Sequence, residues 1–318
     1  MARAPDIQMY EVSLRDGLQN EAVVVPTAVK VALVHELVAA GFRDIEVTSF
    51  VRPKWIPQLA DAAEVARQLP RVDGVRFWAL VPNPIGLERA VEAGIEHIAT
   101  FLSASNTHNR KNVNRTVKES VAALKRVIEA AKGEQMGVRS YVSTAFGCPF
   151  EGTVDVARVL QLSRTLLEAG ADTIALGDTT GMAHPAQVGR VLEALTQGGV
   201  PLDRISLHFH DTRGTAVANA LAAWQFGARR FDAAISGVGG CPYAPGASGN
   251  ACTQDLVHLF ERMGGLQEVP SGFAPVTGLD LDRVSEVGLA LEDALGHQLS
   301  GRYHQFYKGH RARLAQSA

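Results

Sequence analysis

Two histidines, His208 and His210, flank a single phenylalanine about two thirds of the way along the chain. On an extended strand the two-residue period places both imidazoles on one side. With one carboxylate from a neighbouring strand, such a pair forms the core of a divalent-metal site. The carboxylate we assign is Asp16, in Leu14-Arg15-Asp16-Gly17-Leu18. A His–His–Asp set completed by a side-chain amide oxygen and water suits Mg²⁺ or Mn²⁺, and Zn²⁺ stays open. Arg15 directly precedes Asp16, so in a regular strand the two side chains would point to opposite faces. Both serve one site only if the strand has ended and a turn re-aims one of them. We expect that turn, and a pairing of Arg15 with Glu46 is the structural counterpart to a free guanidinium.

A second concentration of chemistry is the run from Gly237 to Asn250, rich in glycine and proline and carrying Cys241. Such a run is neither helix nor strand interior but a tether or a lid over substrate. A thiol in a lid reads as a proton donor. Cys148 and Cys252 read instead as small buried hydrophobes. Gln19 and Ser49 are expected near substrate, Asp178 as an orienting neighbour of the ligands, and Arg110 and Lys111 as contacts for phosphate groups.

These residues need a scaffold that brings them to one rim. An amphipathic helix, a capping glycine and a β-branched run recur at Gly41 then Asp44–Val47, Gly94 then His97–Ala99, Gly170 then Thr173–Leu176, and Gly227 then Phe231–Ile235. Further strands at 7–12, 75–81, 138–145 and 204–209 bring the number to eight, each followed by helical sequence. The fold class is therefore α/β, a (β/α)₈ TIM barrel over residues 1–265, with a C-terminal helical extension over 266–318. A doubly wound open sheet is the alternative, but the first turn lacks the GxGxxG phosphate turn. Strands of such a barrel are buried on both faces, so charged residues at their C-terminal ends mark chemistry rather than packing.

With 46% apolar and 20% charged residues and a net charge of −2, the composition gives no electrostatic reason to expect nucleic acid or an anionic membrane as partner. No apolar run reaches the roughly 18 residues needed to span a bilayer. Three cysteines without CxxC spacing fit reduced thiols and a cytoplasmic location. A first strand beginning near Ile7 leaves an expectation of no leader peptide.

Taken together, Leu14–Glu21, Ile45–Val51 followed by Pro53-Lys54-Trp55, Phe146–Pro149, Gly177-Asp178-Thr179, His208–Thr212 and Gly239–Asn250 resemble, in order, the motifs of the 3-hydroxy-3-methylglutaryl-CoA lyase family. The resemblance runs from about residue 7 to 265. It implies a carbon–carbon lyase acting on an acyl-CoA, with no organic cofactor beyond the substrate's CoA, and a homodimer or higher homo-oligomer. It further implies Asp16, His208, His210 and Asn250 as metal ligands, Arg15 as the residue offsetting enolate charge, Cys241 as the loop thiol, Glu46 as an additional active-site acid, and His208 or Asp16 as base. Two positions depart from the family pattern. Gln254 stands where a glutamate is expected and is assigned to support the ligands, and Arg213 stands where an aromatic residue is common. A sister lyase for citramalyl-CoA or a longer 3-alkyl substrate, a condensing synthase or aldolase, and a metal-stabilised binding barrel remain open at this point.

Overall fold

A computed structural model describes residues 6–240, 249–264 and 275–316. Eight parallel strands, β1 (Gln8–Glu11), β2 (Asp44–Ser49), β3 (Arg76–Leu80), β4 (His97–Ser103), β5 (Gly137–Ser143), β6 (Thr173–Asp178), β7 (Ile205–Phe209) and β8 (Arg230–Ala233), close into a barrel in sequence order, with β1 pairing β8. The chain is thus a (β/α)₈ barrel, and the open sheet is excluded. The helices around it are α1 (Thr27–Ala39), α2 (Ala62–Arg67), α3 (Pro84–Glu92), α4 (Asn106–Val113), α5 (Val117–Gly133), α6 (Val156–Glu168), α7 (Pro185–Gln197), α8 (Ala216–Phe226) and α9 (Thr253–Gly264). They are followed by α10 (Leu281–Leu295) and α11 (Arg302–Gln316). Among the described residues, no helix is long and apolar enough to cross a membrane.

The helices pack by the stripes their sequences carry. Val188, Val191, Leu192 and Leu195 of α7 are all fully buried against the barrel wall. A capping box in which Thr116 and Glu119 exchange hydrogen bonds starts α5. Gly41 illustrates why glycine recurs at helix ends here. Its φ is +104°, and a Cβ would lie 2.7 Å from the Gly278 carbonyl oxygen, so the chain can turn from α1 into β2 only without a side chain. Asp280 caps α10, and its backbone N–H bonds the Ala40 carbonyl at 2.9 Å, fastening the C-terminal helices to the end of α1.

The barrel interior is unusual for its class. Leu80, Ala99, Tyr141 and Ala175 form only a small apolar cluster there, whereas such interiors are ordinarily filled with branched aliphatic side chains. Arg139, Glu46, Asp44 and Asp232 are buried to within 2% of full exclusion. Burying that many charges is tolerable only where they pair.

Candidate active site

Strand β1 ends at Glu11, and Ser13–Gly17 wind into a single π-helical turn in which the backbone N–H groups of Arg15, Asp16 and Gly17 converge on the Val12 carbonyl. The wide turn places consecutive residues at about 80–90° rather than on opposite faces. This is the re-aiming that the adjacency of Arg15 and Asp16 demanded. The Arg15 guanidinium bonds the Asp16 carboxylate and, at 2.5 Å through Nε, Glu46 Oε1. Glu46 Oε2 accepts from the Tyr141 hydroxyl at 2.6 Å. Arg15 is therefore both an ion-pair member and a wall of the cavity. Glu46 is buried behind it and holds it in place.

His208 lies on β7 and His210 just beyond it. Their Nε2 atoms are 3.1 Å apart, and His208 Nε2 is 3.9 Å from Asp16 Oδ2. Potential ligand atoms of Asp16, His208 and His210 all lie within 4.8 Å of one another. Asn250 pairs with His210 through a backbone bridge, and its Nδ2 donates to Asp16 Oδ2 at 3.0 Å and the Val238 carbonyl at 3.1 Å. That leaves Asn250 Oδ1 buried with no hydrogen-bond partner, a vacancy in the bonding of an oxygen that a hard cation would fill. Two ligands at right angles on a cation with bonds of about 2.1 Å stand roughly 3 Å apart, the separation of the two imidazole nitrogens. Two neutral imidazoles could meet nitrogen to nitrogen only if one carried its proton between them.

The electrostatics agree. Burial, reinforced by His208, lowers the His210 pKa to about 3, so its ring is neutral and able to ligate. Burial raises the Asp16 carboxyl, but Arg15 and the two histidines outweigh it and hold the pKa at about 2. Around this point Arg15 and Arg139 face Asp16, Glu46 and Asp232. Two fixed cations against three carboxylates leave a negative site that favours a divalent cation. The donor set of nitrogens and oxygens fits Mg²⁺ or Mn²⁺.

The set opens on a cavity of about 680 Å³ at the C-terminal end of the barrel, lined by Arg15, Asp16, Gln19, Trp55, His208 and His210, with Lys111 and Arg115 of the α4 region farther out. A second cavity, of about 660 Å³, lies at the opposite end, lined among others by Gln8, Asp44, Arg76 and Arg230. Arg76 is bidentate to Asp44 there, at 2.7 Å for both bonds, and none of the ligand set reaches it.

Several sequence assignments land differently. Arg110 is exposed on α4 and does not line the cavity, whereas Lys111 beside it and Arg115 beyond the helix do; helical geometry turns the adjacent Arg110 and Lys111 about 100° apart. Ser49 is buried, and its hydroxyl bonds the Leu80 carbonyl and the Val51 N–H, each at 3.4 Å, so it lies directly behind two residues of the cavity wall. Asp178 accepts from the backbone N–H groups of Met182 and Ala183, closing the turn after β6, and burial raises its pKa to about 6. Gln254 bonds the Ser236 N–H at 2.7 Å and its hydroxyl at 3.0 Å rather than any ligand, bracing a residue at φ 55° where the chain leaves β8. Arg213 ties β7 to the β6 turn through the Thr180 and Gly181 carbonyls. Cys148 and Cys252 are buried, as small hydrophobes would be. Cys241 lies outside the described residues.

Arg139, Tyr141 and Asp232 were not singled out from the sequence. Arg139 and Asp232 form a fully buried pair at 2.6 Å, and Asp232 Oδ2 lies 3.2 Å from His208 Nδ1. The available signal was a charge inside each of two predicted strands, Val138-Arg139-Ser140-Tyr141-Val142 and Phe231-Asp232-Ala233.

A closed barrel carrying a cation-binding ligand set and a buried arginine at its C-terminal mouth has the layout of the barrel enzymes, whose catalytic groups sit at that face. The HMGL-like family model matches residues 6–288. The hydroxymethylglutaryl-CoA lyase of Bacillus subtilis is 46% identical over 302 residues, covering 95% of this chain and 97% of that protein. Its crystal structure superposes with a TM-score of 0.90 at 45% identity, covering 97% and 100% of the two chains. An HMG-CoA lyase from Acinetobacter baumannii, solved in complex with coenzyme A and 3-methylmalate, superposes at 0.87 with 42% identity and 96% of each chain covered. The chain belongs to the HMGL-like family and is a carbon–carbon lyase.

Proposed function

We propose that this site cleaves 3-hydroxy-3-methylglutaryl-CoA to acetyl-CoA and acetoacetate by a retro-Claisen reaction. The observation that carries the reading is the Asp16–His208–His210 cluster, with the orphaned Asn250 oxygen, opening beside Arg15 onto the cavity. Asp16, His208, His210 and Asn250 would hold Mg²⁺ or Mn²⁺, which when bound supplies Lewis-acid polarisation of the substrate's hydroxyl and carboxylate oxygens. Asp16 or His208, which both border the cavity beside Arg15, accepts the hydroxyl proton. As the C–C bond breaks, negative charge develops on the thioester oxygen of the acetyl-CoA enolate, which Arg15, held by Glu46, offsets. Cys241, on the evidence of its sequence context, delivers the proton to the enolate carbon. Lys111 and Arg115, which line the cavity, would meet CoA phosphates, and Gln19, on the same wall, the acyl end. Solved relatives named as HMG-CoA lyases, one of them with coenzyme A bound, support an acyl-CoA substrate.

We take residues 1–265 as the catalytic domain and 266–318 as its extension. We also take the enzyme to be cytoplasmic, on its cysteine usage, and a homodimer or larger homo-oligomer, on the family resemblance. The test is product analysis with 3-hydroxy-3-methylglutaryl-CoA and a panel of citramalyl-CoA and longer 3-alkyl homologues, before and after chelation. Acetoacetate should form only with metal present and return on adding Mg²⁺ or Mn²⁺. Undiminished turnover after verified metal removal, or preference for another panel member, would overturn the corresponding part of the reading.

A further inference from the structure

On adjacent strands β7 and β8, His208 and Asp232 are register partners, so their side chains project from the same face as nearest neighbours. Asp232 Oδ2 lies 3.2 Å from His208 Nδ1. Its carboxylate also accepts from Arg139 Nη2, at 2.6 and 2.9 Å, and from the Ser206 hydroxyl at 2.7 Å. Arg139 and Asp232 have side chains wholly withdrawn from solvent. An aspartate in that position, paired with a guanidinium that cannot lose its proton, is an acceptor only.

We propose that Asp232 is a positioning residue for the metal site, one that locks His208 as a ligand through its tautomer. This rests on the metal-site reading above. With Asp232 accepting, the His208 proton is held on Nδ1 and the Nε2 lone pair is left facing His210 Nε2 and Asp16. Tyr141, edge-on to the imidazole at 5.6 Å and 86°, limits ring tilt from the side. Arg139 fixes the carboxylate in turn, and its guanidinium lies over the Tyr10 and Tyr141 rings at 4.0 and 4.8 Å. The chain of contacts runs Arg139 to Asp232 to His208 across three strands, so the ligand is set by rigid elements and not by a loop. A carboxylate behind a ligating imidazole also raises its donor strength.

The substitution that separates this from a purely structural ion pair is Asp232→Asn. Facing Arg139, the amide turns its oxygen to the guanidinium and its NH₂ toward His208. That makes Nδ1 the acceptor and moves the ring proton to Nε2, where it blocks ligation. Mn²⁺ binding to the full-length protein, followed by electron paramagnetic resonance of the free ion, should weaken roughly 10- to 100-fold. Ser206→Ala, which removes a different bond to the same carboxylate, should leave the Mn²⁺ Kd within about threefold. A parent protein that binds no Mn²⁺ would overturn the metal site and this inference together. A parent that binds, with a folded Asp232→Asn that binds equally well, would overturn this inference alone. Should Asp232→Asn not fold, ¹⁵N-histidine spectra of the unsubstituted metal-free protein decide the matter, with His208 assigned by loss of its signal in His208→Gln. A protonated Nδ1 and bare Nε2 are expected, and the opposite tautomer would overturn the proposal.

Discussion

At the scale of single residues, Arg15 is held by Glu46 and Asp16 yet still lines the cavity. A donor so oriented acts on developing charge without reorganising, which is where preorganised electrostatics contribute most. Arg15→Gln is expected to lower kcat roughly 10²–10³-fold with metal content unchanged. Metal loss or unfolding with normal specific activity of the folded fraction would make Arg15 an ion-pair residue alone. For Cys241, Ser keeps size and hydrogen bonding but removes an acid of pKa about 8.5. Cys241→Ser should therefore lower kcat about 10²–10⁴-fold and barely move the melting temperature. A lowered melting temperature with near-normal kcat would instead identify a packing thiol.

At the scale of elements, the site depends on how strands end. The π-helical turn after β1 brings consecutive residues to one side, and the chain leaving β8 passes under Asn250. Gly239 is the contact between these two pieces, with φ +110° and an added Cβ 2.7 Å from Asn250 Nδ2 and 3.1 Å from Gly17 Cα. Gly239→Ala meets both a strained backbone, costing about 1–3 kcal/mol, and a displaced ligand. It should lower the melting temperature and weaken Mn²⁺ binding together. Loss of stability with unchanged Mn²⁺ affinity would show that Asn250 is not held through this contact.

For the whole molecule, the barrel interior carries charges whose ionisation is coupled to folding. Glu11, fully buried where β1 leaves the barrel, accepts from the Ser13 and Ile235 N–H groups and the Thr253 hydroxyl. Burial outweighs those bonds and raises its pKa from 4.5 to about 7. The folded chain then holds this proton more tightly than the unfolded one. Stability from this group is therefore greatest below pH 4.5, declines as pH rises from about 4.5 to 7, and is flat beyond. Thermal melts of Glu11→Gln and the parent across that range isolate the contribution, since all other groups are common to both. The parent should lose more stability over the window than the variant, and parallel curves would place the Glu11 pKa at its ordinary value.

Features that depend on local period and residue chemistry are legible in short windows of the chain. The repeating helix, glycine and β-branched run specified eight βα units, because apolar periodicity and glycine caps are properties of short windows. The two-residue spacing of His208 and His210 specified a shared face, because a strand alternates. Adjacent Arg15 and Asp16 even required a break in strand β1, though not its form. The tertiary structure alone decided which residues meet across strands. Asp232 stands beside His208 through the β7–β8 register, Arg139 reaches Asp232 from β5, and neither a separation of 24 nor one of 93 positions leaves a mark in a window of sequence. The same holds for Arg115 in place of Arg110, and for Gln254 bracing Ser236 rather than a ligand. Those outcomes follow from barrel closure, which fixes neighbours by hydrogen-bond register and not by order along the chain.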